Sequence, residues 1–256
     1  MAIIRVGSFA DIGIRAGARV RPGSTLRSSS GRPRLPRSMS MNTAREHLPE
    51  LDVKGMELLR SKEAWALYLK RLTLNRGFEG FLSGVFNKTN EIYFVAFAWD
   101  YSGRKPKVFP YTTLEPSEYV LKMKKGQSRE FVGDGVALWP ARRVSGALNV
   151  LIMVYESDRE IQRSGEVIQT IHETVDKSTL TDLVSAIAAN PAIATARAIS
   201  GAVKDLVETV GKIMKKNKND VVELFEGSYG THLVQTSRRE HYETDAAGVV
   251  LDLTAG

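Results

Sequence analysis

The run Ser145–Asp158, SGALNVLIMVYESD, constrains this chain more than any other stretch. In an extended strand side chains alternate between faces, so Leu148, Val150, Ile152 and Val154 fall on one side and Leu151, Met153 and Tyr155 on the other. Both faces must be kept from water. An antiparallel sandwich covers one face of a sheet with the opposing sheet, so the other apolar face needs a different cover, and the helical pattern after Asp158 is the nearest candidate.

Around this strand the pattern is that of short, turn-separated strands. Leu48–Arg60 reads as a short helix, and the next run is ambiguous: Trp65, Leu67 and Leu69 alternate as in a strand, whereas Trp65, Tyr68, Leu69 and Leu72 also fit a helix stripe. The β-rich sequence that follows favours strand. Phe78–Phe86 and Glu91–Trp99 flank the polar turn NKTN and predict a hairpin, with EIYFVAFAW apolar on both faces. Further strands are expected at Lys107–Tyr111, at Tyr119–Met123 and Ser128–Phe131 around the turn KKGQ, and at Val136–Trp139. Asp134, between two glycines, reads as a turn residue.

Residues 158–216 change period. Ile161, Ile168, Ile171 and Val175 predict one helix and Leu180, Leu183, Val184 and Ile187 a second. Ile199, Val203, Leu206, Val210 and Ile213 predict a third, with Asn190-Pro191 separating the last two. The chain then returns to β with VVELFEG from Val221, a turn at GSYG, a strand-like Thr231–Thr236 and the closing GVVLDL. The fold class expected is mainly β: an antiparallel β-sandwich with a helical insertion of three helices over 158–216 packed on one sheet, in a single domain spanning 42–256.

The formal charge of +7 suggests nucleic acid until it is located. Residues 1–41 hold eight arginines (Arg5, Arg15, Arg19, Arg21, Arg27, Arg32, Arg34 and Arg37) against Asp11 alone, and the remaining 28 basic and 28 acidic residues cancel. The expected folded part has no net field for a phosphate backbone, so nucleic acid is not expected as a partner. The 1–41 leader lacks periodicity and is expected to be disordered. Its acid-poor, Arg- and Ser-rich composition resembles a mitochondrial transit peptide, and it fits equally a natural start at Met39 or Met41 in a cytoplasmic protein. With no cysteine, disulfides, thiolate metal sites and thiol nucleophiles are excluded. No run approaches the length of a transmembrane helix.

One constellation could carry chemistry. Glu156 and Asp158 leave the central strand, and Asp100 leaves the other doubly apolar strand, so three carboxylates converge if those ends share an edge. Such clustered oxygens suit a hard cation such as calcium. A strand ending in an acidic pair (VYESD), an acidic loop after an aromatic strand (FAWDYSG) and about eight short strands resemble the C2 family over residues 64–158 and 219–254. The resemblance implies a module that binds lipid headgroups or proteins, often through calcium. The first loop here offers one acid rather than several, and a helical block stands where a C2 calcium loop would continue. Ser157-x-x-Glu160 is also a capping-box pattern, a second reading of the same acids.

The histidines His47, His172, His232 and His241 show no metal spacing, and no G-x-S-x-G elbow is present. Lys204, Lys212, Lys215 and Lys216 beside the third helical stripe suit either membrane contact or the ordinary complement to a helix C-terminus. The function expected is a non-catalytic, C2-like binding module for a protein or a lipid headgroup. The alternatives are a pore-forming or self-assembling protein using the helical block, and a hydrolase using Asp100, Glu156 and Asp158.

Overall fold

The computed structural model describes residues 3–7, 58–76, 89–157, 164–217, 219–231 and 236–256. Its strands are β1 (Ile3–Gly7), β2 (Trp65–Leu74), β3 (Asn90–Trp99), β4 (Lys107–Phe109), β5 (Leu121–Met123), β6 (Gln127–Glu130), β7 (Val136–Arg142), β8 (Ala147–Ser157), β9 (Asn219–Gly230), β10 (Arg238–Glu243) and β11 (Ala247–Ala255). One turn of helix, α1 (Pro116–Tyr119), precedes β5, and α2 (Ser164–Asp176), α3 (Thr179–Ala189) and α4 (Ala196–Lys216) lie between β8 and β9.

The strands form two antiparallel sheets. The first has the order β1-β9-β8-β3-β4, with β5 also on β3; the second has the order β10-β11-β2-β6, with β7 also on β2. Phe94 of β3 meets Phe131 of the second sheet's edge at 6.2 Å between ring centroids, and Thr244 donates to Glu223 of β9 at 2.7 Å. These contacts close the sandwich. The aromatic core layer continues through Phe109, stacked on Phe94 at 4.8 Å.

Every residue of β8 between its ends is buried, as its doubly apolar sequence requires. Tyr93 lies opposite Tyr155, Val95 opposite Met153 and Phe97 opposite Leu151, so these side chains share one face. Tyr93 reaches Met214 of α4. The helical block is therefore the cover on that face, and its predicted stripes are turned inward: Ile168, Ile171, Val175, Leu180, Val184, Ile187, Val203, Leu206 and Val210 are all buried. Ser178 caps α3 and Thr195 caps α4, each accepting from a backbone N–H three residues on. His172 of α2 bonds the Pro110 carbonyl, and Lys105 pairs with Asp176, which joins α2 to the β3–β4 side.

Local expectations are corrected at three places. GSYG at 227–230 is not a turn: β9 runs through it, with Gly227 opposite Val150 and Tyr229 opposite Leu148. A Cβ on Gly227 would lie 3.1 Å from Val150 Cγ1, so the glycine serves a close side-chain approach within a strand. Leu58–Arg60, the described end of the expected first helix, is not helical, and Arg60 forms an isolated bridge to Ser145. Within the leader, Ile3–Gly7 pairs with β9 as an edge strand, where the sequence suggested none. The remainder of the leader, residues 48–57, the strand 78–86, Ile161 and residues 232–235 lie outside the described residues.

Candidate functional site

Asp100 ends β3 and is 1% exposed. One carboxylate oxygen accepts from the Ser102 hydroxyl at 2.6 Å and its N–H at 3.3 Å; the other accepts the Ser145 N–H at 3.0 Å. A buried carboxylate needs such donors, and here they tie the end of β3 to the link between β7 and β8. Gly146 beside it has φ of 72°, and a Cβ would lie 3.0 Å from Leu58 and Tyr101. Only glycine suits that turn. The neighbouring Tyr101 phenol is pushed up to about 12, chiefly by burial, with Glu226 adding to the rise and a hydrogen bond with Asn149 opposing it.

Glu156 leaves the other end of the same ladder. Ile92 faces Glu156 and Trp99 faces Asn149 in the antiparallel register of β3 and β8, so Asp100 and Glu156 are separated by most of the strand length, roughly 25 Å at the usual rise. The oxygens around one calcium ion lie within a few ångströms of each other. Asp100 and Glu156 are therefore not brought together, and Asp158 and Glu160 lie outside the described residues. Among the described residues no three His, Asp or Glu side chains form a group able to hold a metal ion. His241 is exposed on β10, and His172 is engaged with Pro110.

The larger candidate surface is one the sequence did not single out. The first sheet is covered on both faces, whereas the outer face of the second is open and polar. On it, Tyr68 faces Asp252, Arg239 faces the same Asp252 from β10, and Arg71 lies between Glu130 and the row of Val250 and His241. Arg239 holds Asp252 through two bonds of 2.6 and 2.7 Å, and this guanidinium keeps the Asp252 carboxyl below its usual range. Arg71 donates to Glu130 at 2.7 Å. The strand β10, RREHYE, lacks apolar alternation, and backbone pairing with β11 places it.

At the edge of this face, Val132 is 97% exposed at the tip of the loop joining β6 to β7. Lys70, from β2, donates to the Gly133 carbonyl and holds the loop against the sheet. Gly135 has φ of 89°, and a Cβ there would run into the Leu69 carbonyl, so the loop's return to β7 requires glycine. The tip is thus a supported apolar point beside Lys70 and Arg71. Asp134 sits in this turn, as expected.

No family model and no curated protein matches this chain. Among solved structures it is similar to human GIVD cytosolic phospholipase A2 in complex with methyl gamma-linolenyl fluorophosphonate inhibitor and terbium chloride, at 7% identity and a TM-score of 0.31. That match covers 77% of this chain and 18% of the phospholipase chain.

Proposed function

We propose that this chain is a non-catalytic binding module, a C2-like sandwich that contacts a lipid headgroup layer or a protein through the open face of its second sheet and the Val132 loop. The observation that carries the reading is the tie between Lys70 and the Gly133 carbonyl, which joins a fully exposed apolar tip to a face bearing Tyr68, Arg71 and Arg239. An apolar point framed by arginines and a tyrosine has the composition of contact surfaces. A single exposed valine is ordinary on its own; its support by a lysine and a glycine with positive φ is what favours a role.

The alternatives have less support. The apolar stripe of α4, on which self-assembly or pore formation would draw, is turned onto the first sheet. The hydrolase reading needs Asp100 and Glu156 together, and they leave opposite ends of one ladder.

The test is co-sedimentation with phosphatidylcholine vesicles, with and without phosphatidylserine, for the parent, Val132→Asp and Lys70→Glu. The expected result is binding by the parent to phosphatidylserine vesicles, lost in both variants while their melting temperatures stay near the parent's. Binding that survives both substitutions overturns the assignment of this surface. A parent that ignores vesicles but crosslinks from position 132 to a protein narrows the reading to a protein partner.

A further inference from the structure

At the opposite end of the sandwich cations outnumber the neighbouring acids, Asp100 and Glu63. Arg60 bridges to Ser145, Ser61 N–H donates to the Val144 carbonyl at 2.8 Å, and the Val144 N–H donates to Ser61 Oγ at 2.9 Å. These bonds bring Arg60 and Lys62 beside Arg142 and Arg143. Asp100 accepts the Ser145 N–H at this same end, and the loop that follows it carries Arg104. Arg60, Lys62, Arg104 and Arg143 are exposed, and none of them forms an ion pair among the described residues. The nearby Lys105 is already paired, with Asp176.

Arg142 sits at the centre. Its guanidinium carbon lies 3.5 Å above the Trp139 ring, which fixes the plane of the group. Its Nε and Nη2 are buried and have no hydrogen-bond acceptor. The nearby carboxylate, Asp100, accepts from Ser102 and Ser145 and reaches neither of these two atoms. Burial and the like charge of Arg104 lower the Arg142 pKa, against a rise from Asp100, so a second anion here would relieve a cost the fold now carries.

We infer that this end of the molecule is a binding site for a phosphate-bearing ligand, with Arg142 as the oriented donor and Arg60, Arg104 and Arg143 as the surrounding charge. Planar guanidinium groups match oxyanion geometry by paired hydrogen bonds, and several arginines with no ion pair among the described residues favour a compact polyvalent anion over a carboxylate. The chain's near-zero charge outside residues 1–41 conceals this site, because Glu156, Asp220, Glu223, Glu243 and Asp245, which offset its cations in the sum, lie toward the other end. The site stands apart from the Val132 surface and does not depend on it.

The experiment measures melting temperature and calorimetric affinity with inorganic phosphate and with glycerol 3-phosphate, and co-sedimentation with phosphatidylcholine vesicles with and without phosphatidic acid. The variants are Arg142→Gln, Arg142→Lys, Arg104→Gln and, as a charge-matched control on α4, Lys215→Gln. The expected result is a phosphate-dependent rise in melting temperature, with affinity weakened about tenfold or more in Arg142→Gln, in line with a lost charge-assisted pair. Arg142→Lys should retain part of the affinity, and the control all of it. Because Arg104 is exposed, Arg104→Gln keeps the test open if Arg142→Gln does not fold. Response to the soluble phosphates assigns a free ligand, and response only to phosphatidic acid assigns a headgroup; either supports the site. No response in the parent to any probe, equal affinity in parent and Arg104→Gln, or equal loss in the α4 control overturns it.

Discussion

The Tyr93 hydroxyl donates to the Met214 thioether across 3.3 Å, joining the doubly buried strand β3 to the last turns of α4. Tyr93 also stacks on Tyr155 at 5.8 Å, directly opposite it in the ladder. Met214 accepts a second, longer contact from the Asn219 side chain at 3.8 Å, where β9 begins. One sulfur thus meets donors from the sheet and from the strand after the helix. Leucine has similar volume but no acceptor, so Met214→Leu should cost about 1–2 kcal/mol by orphaning a buried hydroxyl. In Tyr93→Phe/Met214→Leu the part of the penalty that comes from the hydroxyl should disappear, since that pair is then apolar and only the longer Asn219 contact is lost; denaturant titration of the four-member cycle reads this. Additive losses would show that the hydroxyl–sulfur contact contributes nothing.

Leu206 tests the cover itself. It is 1% exposed in the middle of α4. Leu206→Asp loses apolar burial and places an unpaired charge against the first sheet, a cost on the order of 4 kcal/mol. The expected outcome is a large fall in melting temperature. A variant that melts with the parent but loses vesicle association would mean that the stripe faces outward in solution.

Asp100 should behave as a structural anion. Asp100→Ala leaves the half-buried Ser145 N–H without its acceptor and should cost about 2 kcal/mol. Because Asp100 and Glu156 lie at opposite ends of the β3–β8 ladder, calcium should not stabilise the protein through the two together. A calcium-induced rise in melting temperature that disappears in each of Asp100→Asn and Glu156→Gln would contradict that separation.

Alkaline pH should act through buried phenols. Tyr101 and Tyr229 are pushed up to about 12, and Tyr93 and Tyr155 are also raised, in each case chiefly by burial. A raised folded-state pKa means that the neutral form is favoured in the native protein. This stability is fully present below about pH 10, the unfolded phenol value, and is lost as pH rises toward 12. Denaturant stability should fall across that window, less steeply in Tyr101→Phe. A flat profile, or phenolate absorbance appearing in the folded protein near pH 10, would show these rings to be solvated.

The layered architecture was legible in the sequence because it follows from local periodicity. A strand apolar on both faces needs two covers, and the 3.6-residue stripes after it supply one of them. Leu206, Val210, Ile171 and Val184 therefore lie where their spacing required. The KKGQ turn and the Gly133-Asp134-Gly135 turn were legible for a similar reason, since both depend on residues adjacent in the chain. GSYG misled because glycine permits a turn without demanding one, and at Gly227 the demand came from Val150, far away in sequence.

Only tertiary structure decided which chemistry meets which. Asp100 and Glu156 each end an apolar strand, and nothing local says whether their ends coincide; the antiparallel pairing of β3 with β8 sends them apart. β10 has no apolar alternation, and its place comes from backbone hydrogen bonds to β11. The cations at 60, 62, 104 and 142–143 look scattered along a stretch whose charges sum to zero after residue 41, yet the Ser61–Val144 bonds and the Asp100–Ser145 bond gather them at one end. Periodicity reports which side of an element is dry, because solvation acts residue by residue. The meeting of distant charges depends on strand direction and register, which are set by the whole sheet.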